Sequence, residues 1–212
     1  QPWLSPDNLR SFTEAIVDKG SPLQNCWGFI DGTLRPVCRP TKYQRMLYSG
    51  HKRVHGLKYQ SIVSPNGLIV NMFGPFPGKR HDAAMLAESG IMPHLQAMRD
   101  DHGNELCLYG DPAYPLRPEL MAPYRGNNLT NDQKDFNKAM SSVRETVEWG
   151  FADILRLFAF VDFKKTQKVF WSPVAKQYIV AAILTNCHTC LYGNECSMYF
   201  GLDPPRLEDY VA

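Results

Sequence analysis

A chain of 212 residues with 44% hydrophobic and 12% aromatic residues suffices for one domain with its own core, and excludes a disordered, collagen-like or coiled-coil protein. Its apolar runs, such as 67–73 and 178–184, fall well short of the roughly 18–20 residues that a membrane-crossing helix needs. The 23 basic residues against 21 acidic ones leave a formal charge of +2, which taken alone argues against a polyanionic partner.

The first 25 residues predict a short amphipathic helix, with Ser5-Pro6-Asp7 as its cap, Leu9, Phe12, Ile16 and Val17 on one face, and Gly20 as its stop. Residues 26–38, CWGFIDGTLRPVC, read as a central strand whose single acid faces a cleft. A strand over 56–63, a Ser64-Pro65-Asn66-Gly67 turn and a return strand over 68–73 complete a hairpin-linked sheet. A Gly/Pro-rich loop at 74–78 then leads into a helical stretch at 81–98, in which Pro93 opens a second turn. ELCLYG, 105–110, is a short buried strand that stops at Asp111, and 112–130 reads as loop with a short helix. Three- and four-residue apolar steps predict one long helix from 132 to about 158, and a last helix follows over 173–191. This order gives an α/β sheet covered by helices on its faces.

Six cysteines, about 3% of the chain, are too sparse for a secreted disulfide scaffold, so reduced thiols in an intracellular protein are expected. Cys187, His188 and Cys190, with Cys196, fall short of the two well-spaced ligand pairs of a structural zinc site and are read as packed thiols. Because residue 1 is Gln, a segment of a longer chain is expected.

Four acids stand out by position. Asp31 interrupts an apolar strand; Asp111 ends another, at the carboxyl edge where α/β sheets bind ligands; Glu148 shares a helix face with Arg144, Phe151 and Leu155; Asp82 opens a helix after a basic triplet. Each has a local explanation: a pair with an arginine such as Arg35 for Asp31, a turn for Asp111, an i−4 pair with Arg144 for Glu148, and a cap for Asp82. Those explanations leave out the convergence of the set on one sheet edge. Carboxylates without a His/Cys complement suit Mg²⁺ or Mn²⁺, and two such ions suit phosphodiester chemistry.

The segments GFIDGT (28–33), GHKRVHGLKYQ (50–60), GKRHD (78–82), YGDPAYPL (109–116) and RETVEWGFADI (144–154) resemble the DDE superfamily endonuclease domain of PIF/Harbinger-type transposases and their domesticated nuclease relatives. The resemblance runs from about Trp3 to Tyr199. It implies an RNase H-like mixed sheet flanked by helices, with 1–212 as one catalytic domain. Asp31, Asp111 and Glu148 would be its catalytic acids, Asp82 a further metal-site acid, and a divalent cation its cofactor. It also implies a nuclear location, DNA as partner and, beside it, a Myb-like DNA-binding partner protein. The helix-turn-helix-like segment that precedes this domain in the family is expected to lie ahead of residue 1. Two other readings stay open: a domesticated protein that binds DNA or a Myb-like partner without cutting, and an RNase H-like ribonuclease.

The fifty residues between Asp31 and Asp82 contain no acid, where the chain average would give roughly five. They hold Arg35, Arg39, Lys42, Arg45, Lys52, Arg53, Lys58, Lys79 and Arg80, a formal +9, which leaves −7 for the rest of the chain. The near-neutral total is therefore a cancellation, and the basic stretch is the expected phosphate-binding surface. Tyr43, Tyr48 and Tyr59 interleave with it as candidate base-stacking rings, although a place in the sheet suits Tyr59 better. Lys164, Lys165 and Lys168 are candidates for further backbone contacts.

Overall fold

A computed structural model describes residues 3–162 and 167–212; Lys164 and Lys165 lie outside these. The first helix, α1 (Pro6–Asp18), starts where the Ser5 hydroxyl accepts from the Asn8 amide at 3.3 Å, has Pro6 at its first position, and ends just before Gly20 at φ +95°. The sheet is built from β1 (Cys26–Pro36), β2 (Tyr48–Ser49), β3 (Val54–Val63), β4 (Ile69–Pro77), β5 (Cys107–Tyr109) and β6 (Leu120–Met121). β3 lies antiparallel to β1, with Asp31 opposite Ser61, and β4 lies antiparallel to β3. β5 runs parallel to β1 and β6 parallel to β5, so the main order is β4–β3–β1–β5–β6, with the short β2 pairing the first residues of β3.

Side-chain alternation divides the core into two layers. Phe29, Val63 and Tyr109 face one cluster, packed under α5 (Asn131–Arg144), α6 (Thr146–Leu157) and α7 (Val174–Tyr192) through Val143, Phe151 and Ala181. Ile30, Ile62 and Leu108 face the other, covered by Leu9 and Phe12 of α1, Leu86 of α3 (Asp82–Ser89) and Leu95 of α4 (Met92–Ala97). The chain closes with α8 (Glu195–Phe200) and α9 (Leu207–Val211). The architecture is a mixed sheet flanked by helices, RNase H-like, as expected.

Four local expectations need correction. The segment 74–78, read as a loop, mostly continues β4 as far as Pro77. It pairs only with β3, so prolines lacking an N–H are tolerated on the free edge, and the pairing accommodates them with register shifts. The helix over 81–98 breaks at Gly90, φ +64°, into α3 and α4. In place of a short helix, 112–130 contributes the edge strand β6. The long helix from 132 divides at Glu145 into α5 and α6, and the buried Thr146 hydroxyl donates to the Val143 carbonyl at 2.9 Å across the junction.

Candidate active site

Asp31 sits in the middle of β1 between buried Ile30 and Gly32, on the face that carries Phe29. Its carboxylate accepts from the Gly32 amide at 2.9 Å and lies 3.5 Å from Arg144 Nη1 at the end of α5. Its local partner is thus Arg144 rather than Arg35. Burial raises its pKa to about 6, with smaller upward pushes from the charges of Asp111 and Asp82, against the pull of Arg144 and the Gly32 amide.

Asp82 reaches the same neighbourhood from the other side of the sheet. It opens α3, and Lys58 Nζ on β3 stands 2.7 Å from its carboxylate while donating to the Arg80 carbonyl at 3.2 Å. A Cβ at position 32 would overlap Asp82 Oδ1, so the glycine of GFIDGT is what admits this carboxylate beside β1. Asp111, just past β5, uses one oxygen to accept from the Ala113 amide at 2.9 Å, which is the turn chemistry that an Asp-Pro pair offers. Fully buried Tyr114 lies among the three acids. Burial raises its hydroxyl pKa well above the ordinary value, and Asp82, Asp31 and Asp111 raise it further.

Glu148 is placed differently from its expected inward position. In the first turn of α6 it is solvent-exposed, and it lines a cleft of about 580 Å³ together with Asp31, Arg35, Lys52, Phe151 and Leu155. Arg144, its expected i−4 partner, pairs with Asp31 instead. Asp31, Asp82 and Asp111 therefore form an electrostatic cluster, whereas Asp31 and Glu148 share a cleft. Among the described residues, no group of three or more His, Cys, Asp or Glu side chains is gathered closely enough to hold a metal ion.

The donor chemistry nevertheless fits a hard divalent cation. The four acids offer only oxygen, and Asp31 ionises at a cost that a neighbouring positive charge would remove. Arg144 now supplies part of that charge at Asp31, as Lys58 does at Asp82. Both lie outside the set of four acids, and the sequence gives only their spacing as a clue: Lys58 faces Leu34 across the β1–β3 ladder, two residues along β1 from Gly32.

Of the nine basic residues, seven are exposed: Arg39, Lys42, Arg45, Lys52, Arg53, Lys79 and Arg80. Arg80 pairs with Glu88, and Arg39 donates to Gln44. Lys42, Arg45, Lys52, Arg53 and Lys79 have no acidic partner among the described residues. Arg35 is held over the Tyr178 ring at 5.1 Å and donates to Thr33, so it packs as well as lining the cleft. Tyr59 is a core residue, 4.8 Å from Tyr178, and Trp149 meets Tyr199 edge-on at 5.5 Å. Cys187, Cys190 and Cys196 are free, and burial raises the thiol pKa of Cys190 to about 11 and of Cys196 to about 12.

A sheet in the order β4–β3–β1–β5–β6, with acids on β1, at the end of β5 and on a later helix, defines an RNase H-like protein with an acidic edge. The sequence profile of the DDE superfamily endonucleases matches residues 30–186, and the chain belongs to that family. It is 25% identical over 186 residues to "Protein ALP1-like" of Arabidopsis thaliana, covering 81% of this chain and 43% of that one. It is 26% identical over 128 residues to "Probable transposase for insertion sequence element IS702" of Microchaete diplosiphon, covering 60% and 45%. The chain thus spans less than half the length of these relatives. No solved structure matches it significantly. No helix among the described residues is long and apolar enough to cross a membrane.

Proposed function

We propose that this chain is the catalytic domain of a divalent-metal-dependent DNA endonuclease of PIF/Harbinger transposase descent, acting in the nucleus. The observation that carries this reading is the cluster of Asp31, Asp82 and Asp111, with Asp31 raised to about 6, beside an acid-free surface of exposed cations. Asp31, Asp111 and Glu148 are the catalytic acids; with Asp82 they would hold Mg²⁺ or Mn²⁺. Bound ions would activate a water or a 3′-hydroxyl and stabilise the leaving oxygen of the phosphodiester. Lys52, in the cleft with Asp31 and Glu148, is suited to orient the scissile phosphate, and Arg35, Arg39, Lys42, Arg45, Arg53, Lys58, Lys79 and Arg80 to track the flanking backbone. Buried Tyr114 and the hydrophobic wall of Phe151 limit water beside the acids. A Myb-like protein remains the partner proposed for target choice.

A second reading, DNA or partner binding without cleavage, is favoured by the present pairing of Lys58 with Asp82 and of Arg144 with Asp31, which neutralises two of the four acids. Nicking of supercoiled plasmid in Mg²⁺ or Mn²⁺ decides between the two. The nuclease reading expects wild-type nicking that Asp31→Asn and Asp111→Asn abolish. Full activity in either variant would refute the assignment, and DNA binding by a wild type that never nicks would favour the second reading.

A further inference from the structure

Away from the cleft, the loop that follows β1 and the turn that precedes α7 meet. The Cys38 amide donates to the Gln167 carbonyl at 2.8 Å, and this contact brings two otherwise distant segments side by side. On their outer surface stand three aromatic rings: Trp171 at 89% exposure, Phe170 at 64% and Tyr43 at 63%. Tyr43 and Phe170 lie 6.0 Å apart, centre to centre. Both have positive φ, +58° and +77°, a conformation that aromatic residues rarely adopt, so the backbone carries strain to present these rings. A shallow groove of about 170 Å³ beside Trp171 is lined by Arg39, Lys168 and the apolar edges of Cys38, Pro40 and Val169. Exposed Lys42 and Arg45 flank Tyr43 along the chain, and neither contributing segment, 38–46 or 167–172, contains an acid.

Three exposed rings are costly to leave in water, and the cations beside them, in two segments without an acid, exclude a basic or purely apolar partner. The ligand that satisfies both is an anionic polymer with free π faces. Duplex DNA presents phosphates, but its bases are already stacked on one another; an unpaired strand offers both. We propose that Tyr43, Phe170 and Trp171, with Arg39, Lys42 and Lys168, form a stacking platform for single-stranded DNA. It lies past the carboxyl end of β1, and its first residue, Arg39, is eight residues beyond Asp31, a reach of at most about 26 Å at strand rise. A strand held in the cleft and one held on the platform can thus be parts of one substrate. The proposal rests on the nuclease reading for its choice of DNA over RNA.

The test uses the whole 212-residue chain, a dT20 oligonucleotide and a blunt 20-base-pair duplex, with tryptophan fluorescence and anisotropy as readouts. Trp3 and Trp27 are buried, and Trp149 is half-buried against Tyr199, so the part of the quenching on dT20 that is lost in Trp171→Ala is what reports on Trp171. The expected result is quenching by dT20 and a Kd for dT20 weakened by roughly five- to 150-fold in Trp171→Ala, the worth of one stacked base. Phe170→Gly, which relieves the positive φ, should weaken dT20 in the same way without loss of folding. Duplex affinity should change less than twofold in both. Unchanged dT20 affinity, an equal loss on duplex, or a change of oligomeric state in the variants, which would mark a protein interface, each overturns the platform. Failure of the nuclease reading shows separately: a chain that never nicks but still loses dT20 affinity with Trp171→Ala keeps the platform and discards the catalysis.

Discussion

Asp31→Asn should make the protein more stable at neutral pH while removing its proposed chemistry. Burial lifts the Asp31 carboxyl from 3.8 to about 6, so the folded state binds this proton more tightly than the unfolded chain does. Stability is therefore highest when Asp31 is protonated, falls as pH rises between about 4 and 6, and is flat above. The charged form costs about 3 kcal/mol, as an upper bound, since 18% of the side chain still meets solvent. Asparagine keeps an oxygen to accept from the Gly32 amide and carries no charge, so it escapes that cost. At about 2–4 °C per kcal/mol for a domain of this size, the variant should melt up to ~6–12 °C above wild type at pH 7.5. The assay is denaturation of both proteins from pH 4 to 8, with the gap narrowing toward pH 4. A variant less stable than wild type at pH 7.5, or a gap independent of pH, would refute the reasoning that Asp31 is held charged against its surroundings.

Gly32→Ala should cost about 1–3 kcal/mol in urea denaturation, because its methyl would overlap the Asp82 carboxylate; adding Asp82→Ala should recover most of the loss, and an unaltered midpoint would disprove the close approach. Arg144→Met removes the cation beside Asp31, so calorimetry at pH 8 should find Mn²⁺ bound several-fold more tightly; equal or weaker binding would mean that Arg144 does not stand in the ion's place. Lys52→Ala, at the cleft, should lower the slope of log K against log salt on duplex DNA by about 0.9, one phosphate contact, with no change in melting temperature.

The layout of the sheet was legible because period and punctuation agree along most of the chain. Asp31 between Ile30 and Gly32, and Asp111 at the end of CLY, sit where an apolar strand meets its one acid. Two of the misread elements share a cause, a local signal overridden by its setting: prolines allowed on the free edge of β4 and a two-residue β6 held by its parallel neighbour. At the cleft the spacing misled: Arg144, four residues before Glu148, pairs with Asp31 on β1 and leaves Glu148 exposed.

The alternation along β1 explains why the acids converge in charge without closing into one ligand set. Asp31 shares the face of Phe29 with α5 and α6, whereas position 32 points toward the layer of α3, from which Asp82 enters. Two helical layers thus bring carboxylates to opposite sides of a single strand, and only the missing side chain of Gly32 lets them act on each other. Lys58 and Arg144 reach in from either side to balance them. Arg35 and Lys52 line the cleft that Asp31 shares with Glu148, so each part of the acidic edge has a cation within its own surroundings.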